Sequence, residues 1–168
     1  MDNAAGWTPV EPDGVTPSIE LVLADETNAS YLGADQTAMA LSASTVALDH
    51  AARRDLPAPL DASAWPELSL TLRADRLADG SPEHPFYLRL RLGSAAVPLA
   101  DPANTWHRYL PVTSTGDWRV NRISLDDLPA AIRSGLSVIE LTCVDAARGF
   151  SCLLDDLILV DDRLISDC

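Results

Sequence analysis

The sequence predicts an all-β chain, folded as a two-sheet antiparallel β-sandwich with one short helix. Three observations carry that prediction. First, apolar and polar residues alternate at period two in segment after segment, as where Leu68, Leu70 and Leu72 are set against Ser69, Thr71 and Arg73. Such alternation marks strands with one face on a core and one in water. Second, the intervening segments are rich in Pro, Asp, Gly and Ser, each of which suits a turn for its own backbone reason. Third, only two stretches have a helical composition, so helices cannot form a layer of their own. The 168 residues, 47% of them apolar, suit one ordinary globular domain with a real core.

Taken in order, residues 1–17 hold Pro9, Pro12, Pro17, Gly6 and Gly14 and read as an extended N-terminal arm, ahead of a sandwich domain at 18–168. Trp7 is the arm's one large apolar group and is expected to dock it on the body or on a neighbour. Ser18–Ala24 and Ala38–Ser42 read as strands, the first without clean alternation. Ser44–Arg54 is compatible with a helix or a strand, and both stay open. Leu68–Leu72 follows as a strand. Phe86, Leu88, Leu90 and Leu92 alternate with Tyr87, Arg89 and Arg91, and His107–Val112 and Trp118–Leu125 read as further strands. Asp126–Ser134 carries Pro129 in its first turn and Gly135 just past its end, the asymmetry of a short helix. Asp126 or Asp127 is its expected cap.

Ile139, Leu141 and Cys143 alternate with Glu140 and Thr142, and Phe150–Val160 makes the last strand. With Ala146-Ala147-Arg148-Gly149 as a turn, the two form a hairpin in which Cys143 faces Cys152 and both thiols point into the core. Two readings stand: buried reduced thiols acting as small apolar groups, or a cross-strand disulfide. With Cys168 there are three cysteines in all, too few for a disulfide scaffold. No His or third Cys lies near enough in sequence to suggest a metal site there.

Composition narrows the function. The 25 acidic and 12 basic residues give a net charge of -13, which argues against nucleic acid as a partner because a phosphate backbone needs a basic face. Every basic residue is Arg, so lysine nucleophiles and Schiff-base chemistry are absent. No window approaches the roughly 18 consecutive apolar residues of a membrane span. Met1–Val10 has neither the basic nor the apolar region of a signal peptide, so the expected location is the cytoplasm, alone or within a particle. His50, His84 and His107 have no HExxH spacing, and no nucleophile elbow, phosphate loop or dinucleotide glycine pattern occurs. The expectation is a chain that is not an enzyme and needs no cofactor.

Several segments line up in a familiar order. Gly33 precedes the strand at Met39-Ala40-Leu41. LDASAWPELSLTLRAD follows at 60–75, then PFYLRLRL at 85–92, GDWRVNRISLDDLP at 116–129 and GFSCLLDDLILV at 149–160. Over roughly residues 18–160 this order resembles the carbohydrate-binding-module and galactose-binding-like jelly rolls. The resemblance implies a jelly-roll-like sandwich, with an aromatic sugar platform for which Trp65 and Trp106 are the candidates. It also implies a structural calcium held by a late aspartate and an early acid. Glu20, Asp155 and Asp156 are the nearest matches, although Glu20 lacks an acidic partner two residues on. A narrower set of runs is WHRYLPV at 106–112, RISLDDLPAAIR at 122–133, ELTCVD at 140–145 and LLDDL at 153–157. These resemble accessory proteins of phage-tail-like contractile injection systems, which implies a non-catalytic structural subunit among other protein subunits.

The candidate interaction residues follow. They are Trp7, the cluster Trp106, His107, Arg108 and Tyr109, and a basic stripe of Arg73, Arg89 and Arg91 expected on two neighbouring strands. Aromatic and Arg anchors suit a protein interface; the stripe is equally compatible with a solvated sheet face. The expected function is a binding or structural module docking within a larger assembly. A carbohydrate-binding module using surface tryptophans is the second reading.

Overall fold

The computed structural model describes residues 4–10, 22–27, 37–43, 51–75, 86–112, 116–144 and 150–161. Among them are ten strands: β1 Trp7–Val10, β2 Val22–Thr27, β3 Thr37–Ala43, β4 Ala51–Leu60, β5 Glu67–Asp75, β6 Phe86–Ser94, β7 Arg108–Val112, β8 Arg119–Ser124, β9 Leu136–Val144 and β10 Phe150–Val160. A single helical turn, α1 Ala130–Arg133, interrupts them. The strands form two five-stranded sheets, in the orders β1-β4-β9-β6-β7 (sheet A) and β2-β3-β10-β5-β8 (sheet B). Every pairing is antiparallel. The predicted all-β, two-sheet sandwich with one short helix is the observed fold.

Alternation explains the core. Leu88, Leu90 and Leu92 of β6, with Ile139 and Leu141 of β9, face inward from sheet A and are almost fully buried. Met39, Leu41, Leu68, Leu70, Leu72, Cys152 and Leu154 meet them from sheet B in one continuous cluster. Each fully buried leucine contributes about 1.5–3 kcal/mol over an exposed one.

Three expectations are corrected, and a fourth, left open, is decided in part. Trp7–Val10 is no arm: it is the edge strand of sheet A, with Trp7 opposite Arg54 and its ring only 7% exposed. Pro9 is tolerated there because an edge strand leaves one row of backbone groups unpaired. Second, β9 and β10 form no hairpin. The one pairs with β4 and β6, the other with β3 and β5, so Cys143 and Cys152 project into the core from opposite sheets and neither is in a disulfide. Inward orientation survives, but cross-strand opposition does not. Burial pushes the Cys152 thiol up to about 12. Third, neither Asp126 nor Asp127 caps α1. Pro129 takes the N-cap position without a side-chain bond, and Gly135 follows the C-cap Ser134 as expected. Fourth, Ala51–Arg54 is strand; residues 44–50, and with them Gly33, His50, His84, Gly149 and Cys168, lie outside the described residues.

Two irregularities open one end of the sandwich. β4 shifts register against β9 between Asp55 and Leu60, across Pro57 and Pro59, and β10 shifts against β5 between Asp155 and Ile158. Asp156 takes a positive φ of 51° there, and its N–H donates to Asp155 Oδ1 at 2.9 Å. Proline cannot donate to a ladder and an αL residue breaks the pleat, which accounts for the two shifts.

Candidate functional site

The outward face of sheet A is where the fold gathers polar and aromatic side chains into order. The alternation that sends Leu88, Leu90 and Leu92 inward turns Arg89 and Arg91 outward. Register then builds two ladders. One runs Thr8–Arg53–Glu140–Arg91 across β1, β4, β9 and β6. The other runs Val10–Ala51–Thr142–Arg89–Tyr109 across all five strands. Cross-strand neighbours of this kind stand about 4.5–5.5 Å apart at Cβ; Ala51 and Thr142 are buried rungs, so Thr8, Arg53, Glu140, Arg91, Arg89 and Tyr109 are the ones an extended ligand could touch.

Charges on this face are mostly paired. Arg91 Nη1 lies 3.4 Å from Glu140 Oε1, and its Nη2 donates to the Leu99 carbonyl. Arg53 Nη2 lies 2.8 Å from Asp55 Oδ1. Arg89 differs. Among the described residues its Nη2 reaches only Thr142 Oγ1, at 3.5 Å, and its Nε is buried without a hydrogen-bond partner. Tyr109, 50% exposed, stands opposite Arg89, and its ring meets His107 edge-on at 5.1 Å. His107 Nδ1 donates to the Thr105 carbonyl at 3.0 Å.

A loop walls one end of the face. Asn104 Nδ2 donates to the carbonyls of Leu92, Val97 and Pro98 at 3.0, 3.3 and 3.2 Å, which folds residues 95–106 back over the sheet. Buried Leu99 lies on Gly93, where a side chain would not fit.

The other sequence candidates fall elsewhere. Trp106 is 5% exposed and belongs to the core; its Nε1 donates to Asp127 Oδ1 at 3.1 Å, and the Arg108 guanidinium covers its ring at 4.8 Å. It offers no open face to a sugar, and buried Trp7 offers none to a partner. Asp127 also accepts from Arg108, and these bonds hold its carboxyl down at about 2. Trp65 is half-buried at the head of β5, with its carbonyl accepting from Arg133 at 2.8 Å, outside both ladders. The basic stripe is divided: Arg89 and Arg91 lie on sheet A, but Arg73 lies on sheet B, stacked over Trp118 at 5.5 Å. Both sheets carry outward arginines at the same period, so sequence spacing could not tell them apart.

For calcium, Glu20 lies outside the described residues. Asp155 and Asp156 alone do not supply the six to eight oxygens calcium takes, and among the described residues no group of three His, Cys, Asp or Glu is placed to hold a metal. The open end of the sandwich holds a cavity of about 330 Å³ lined by Leu56, Leu60, Leu136, Leu157 and Ile158 among other aliphatic residues. Among the described residues its walls carry no hydroxyl, carboxylate or amide side chain with which to recognise a sugar. No helix among the described residues is long and apolar enough to cross a membrane.

No protein-family model matches the sequence, and no curated protein matches it. Solved structures match the fold. The family 30 carbohydrate-binding module of a cellulosomal cellulase of Clostridium thermocellum is 13% identical, with a TM-score of 0.61, over 96% of this chain and 95% of that one. The family 11 carbohydrate-binding module from Clostridium thermocellum, in complex with a β-1,3-1,4-mixed-linked tetrasaccharide, is 13% identical, with a TM-score of 0.60, over 93% and 89%. An exo-β-agarase is 12% identical with a TM-score of 0.59; the match covers 87% of this chain but 24% of the agarase. The narrower resemblance to contractile-particle proteins gains no support from these matches. The chain has the β-sandwich fold seen in carbohydrate-binding modules.

Proposed function

We propose that the chain is a non-catalytic glycan-binding module that receives a polysaccharide on the outward face of sheet A. The observation that carries this reading is the pair of ladders. They set Thr8, Arg53, Glu140 and Arg91 beside Arg89 and exposed Tyr109, with Thr142 buried beneath Arg89. A sugar needs an aromatic face for its C–H surface and donors and acceptors for its hydroxyls. Tyr109 and the polar rungs supply both on a rigid sheet, beside a wall. Carbohydrate-binding modules of families 11 and 30 with this fold support the reading. Docking within a protein assembly loses its two largest anchors, since Trp7 and Trp106 are buried.

The test is calorimetric titration with a panel of soluble oligosaccharides, using the native chain and Tyr109→Ala. Binding that weakens about tenfold or more in the variant supports the reading, in line with what an aromatic anchor contributes. Binding indifferent to Tyr109, or an absence of binding across the panel, overturns it.

A further inference from the structure

The glycan this face selects is a matter of charge, and the inference here rests on the glycan-binding reading above. On a chain of net charge -13, the outward face of sheet A collects Arg53, Arg89 and Arg91 against Asp55 and Glu140. Asp55 occupies Arg53 and Glu140 occupies Arg91. The remaining arginine, Arg89, meets no carboxylate among the described residues. It is tethered by one long bond to Thr142, and the shielded Nε leaves part of its donor fork unused. A half-buried guanidinium in that state is under-satisfied, because its charge and an N–H have left water without an equivalent partner. The neighbours are Tyr109 on one side and Thr142 on the other, neither of them an acid.

We infer that Arg89 is the recognition point for an anionic sugar, one bearing a carboxylate or sulfate, with the sugar ring on Tyr109. The planar guanidinium fork matches such a group in two parallel hydrogen bonds, geometry that a neutral hydroxyl cannot return. Binding would draw the side chain up from Thr142, relieve the unpaired N–H and leave the Arg91–Glu140 pair in place as a fixed neighbour. A neutral glucan would leave the charge of Arg89 unanswered.

The experiment is titration of the native chain with three probes: oligogalacturonates, sulfated galactan oligosaccharides and mixed-linkage β-glucan oligosaccharides, each at low and high salt. Arg89→Ala and Arg89→Lys are compared with Arg122→Ala, an arginine lost from sheet B, and each variant is first checked for a native melting transition. Binding of an acidic probe in preference to the neutral one, weakened by salt and lost about 10- to 100-fold in Arg89→Ala, is the expected result. Arg89→Lys should recover only part of it, because an ammonium has no fork. Whether the carboxylated or the sulfated probe responds names the anion. Neutral binding indifferent to Arg89 overturns the anionic inference and leaves the glycan-binding reading standing. Acidic binding that survives Arg89→Ala also overturns it. Failure of all three probes removes both.

Discussion

Gly93→Ala tests the packing of the loop that walls the outward face of sheet A. A Cβ at Gly93 would stand 2.7 Å from Val138 Cγ1 and 3.3 Å from two Leu99 side-chain atoms. Carbon atoms in good contact sit about 3.5–4.0 Å apart, so something must shift. Val138 cannot yield easily, because its strand β9 is held between β4 and β6. Leu99 cannot either, because the three carbonyl bonds of Asn104 pin its loop. Overpacking of this kind costs about 1–3 kcal/mol. At roughly 2–4 °C per kcal/mol for a chain of this size, the melting midpoint should fall by roughly 2–12 °C. The decisive comparison is a double-mutant cycle by thermal denaturation. Val138→Ala removes the clashing methyl, so Gly93→Ala should cost far less in that background than in the native one. A Gly93→Ala protein that melts with the native chain, or strictly additive losses, would refute the packing argument. Since Leu99 also offers its carbonyl to Arg91, the same variant should loosen that arginine.

Other outcomes follow from the same contacts. Trp7→Ala should lower stability by about 3–5 kcal/mol in denaturant titration, as for a buried aromatic; an unchanged midpoint would return residues 7–10 to the status of an arm. Asp127, held at about 2 from an ordinary 3.8, contributes stability that is present above pH 3.8 and lost as pH falls toward 2. Between those limits the native chain should therefore lose stability faster than Asp127→Asn, with Trp106 fluorescence as the local readout. Equal slopes would show that the Trp106–Asp127–Arg108 contacts do not form. Cys152, with its thiol raised to about 12, should resist alkylation at neutral pH in the folded chain and react only in denaturant. Peptide mapping after native alkylation checks this, and modification at Cys152 as fast as in denaturant would contradict its burial.

Much of the fold was legible because burial imposes a period. Leu68, Leu70 and Leu72, or Leu88, Leu90 and Leu92, announce strands and an inner face with no knowledge of their partners. The period does not say which sheet a strand joins. Both sheets bury one face in the same core, so β9 and β10 look like a hairpin while belonging to opposite sheets, and Arg73 looks like a companion of Arg89 while facing the other way. For Trp106 the sequence could not decide between core packing and an exposed platform. Its fate depends on Asp127, twenty-one positions along the chain, whose carboxylate satisfies the indole N–H and lets the ring sink into the core. The proposed ligand face was half visible: Arg89, Arg91, His107 and Tyr109 were singled out from sequence. Thr8, Arg53, Glu140 and Thr142 were missed. Nothing about an isolated threonine or glutamate shows that register will place it beside an arginine from another strand.

Adjacent residues on β7 separate the two duties of sheet A. Leu110 is 5% exposed and lies in the core opposite Leu88, whereas Tyr109 is 50% exposed and lies opposite Arg89. Backbone, sheet and local sequence are shared, so only the direction of the side chain differs. Leu110→Ala should therefore cost about 2–5 kcal/mol, and Tyr109→Ala, at a half-exposed site whose ring meets His107 edge-on, should cost about 1 kcal/mol or less. Glycan titration should reverse the order, with affinity lost in Tyr109→Ala and kept in Leu110→Ala wherever that variant remains folded. A large stability loss in Tyr109→Ala would mean that the ring is part of the scaffold. The outward ladder would then be a structural seam, and the aromatic contact that the ligand face requires would have to come from elsewhere.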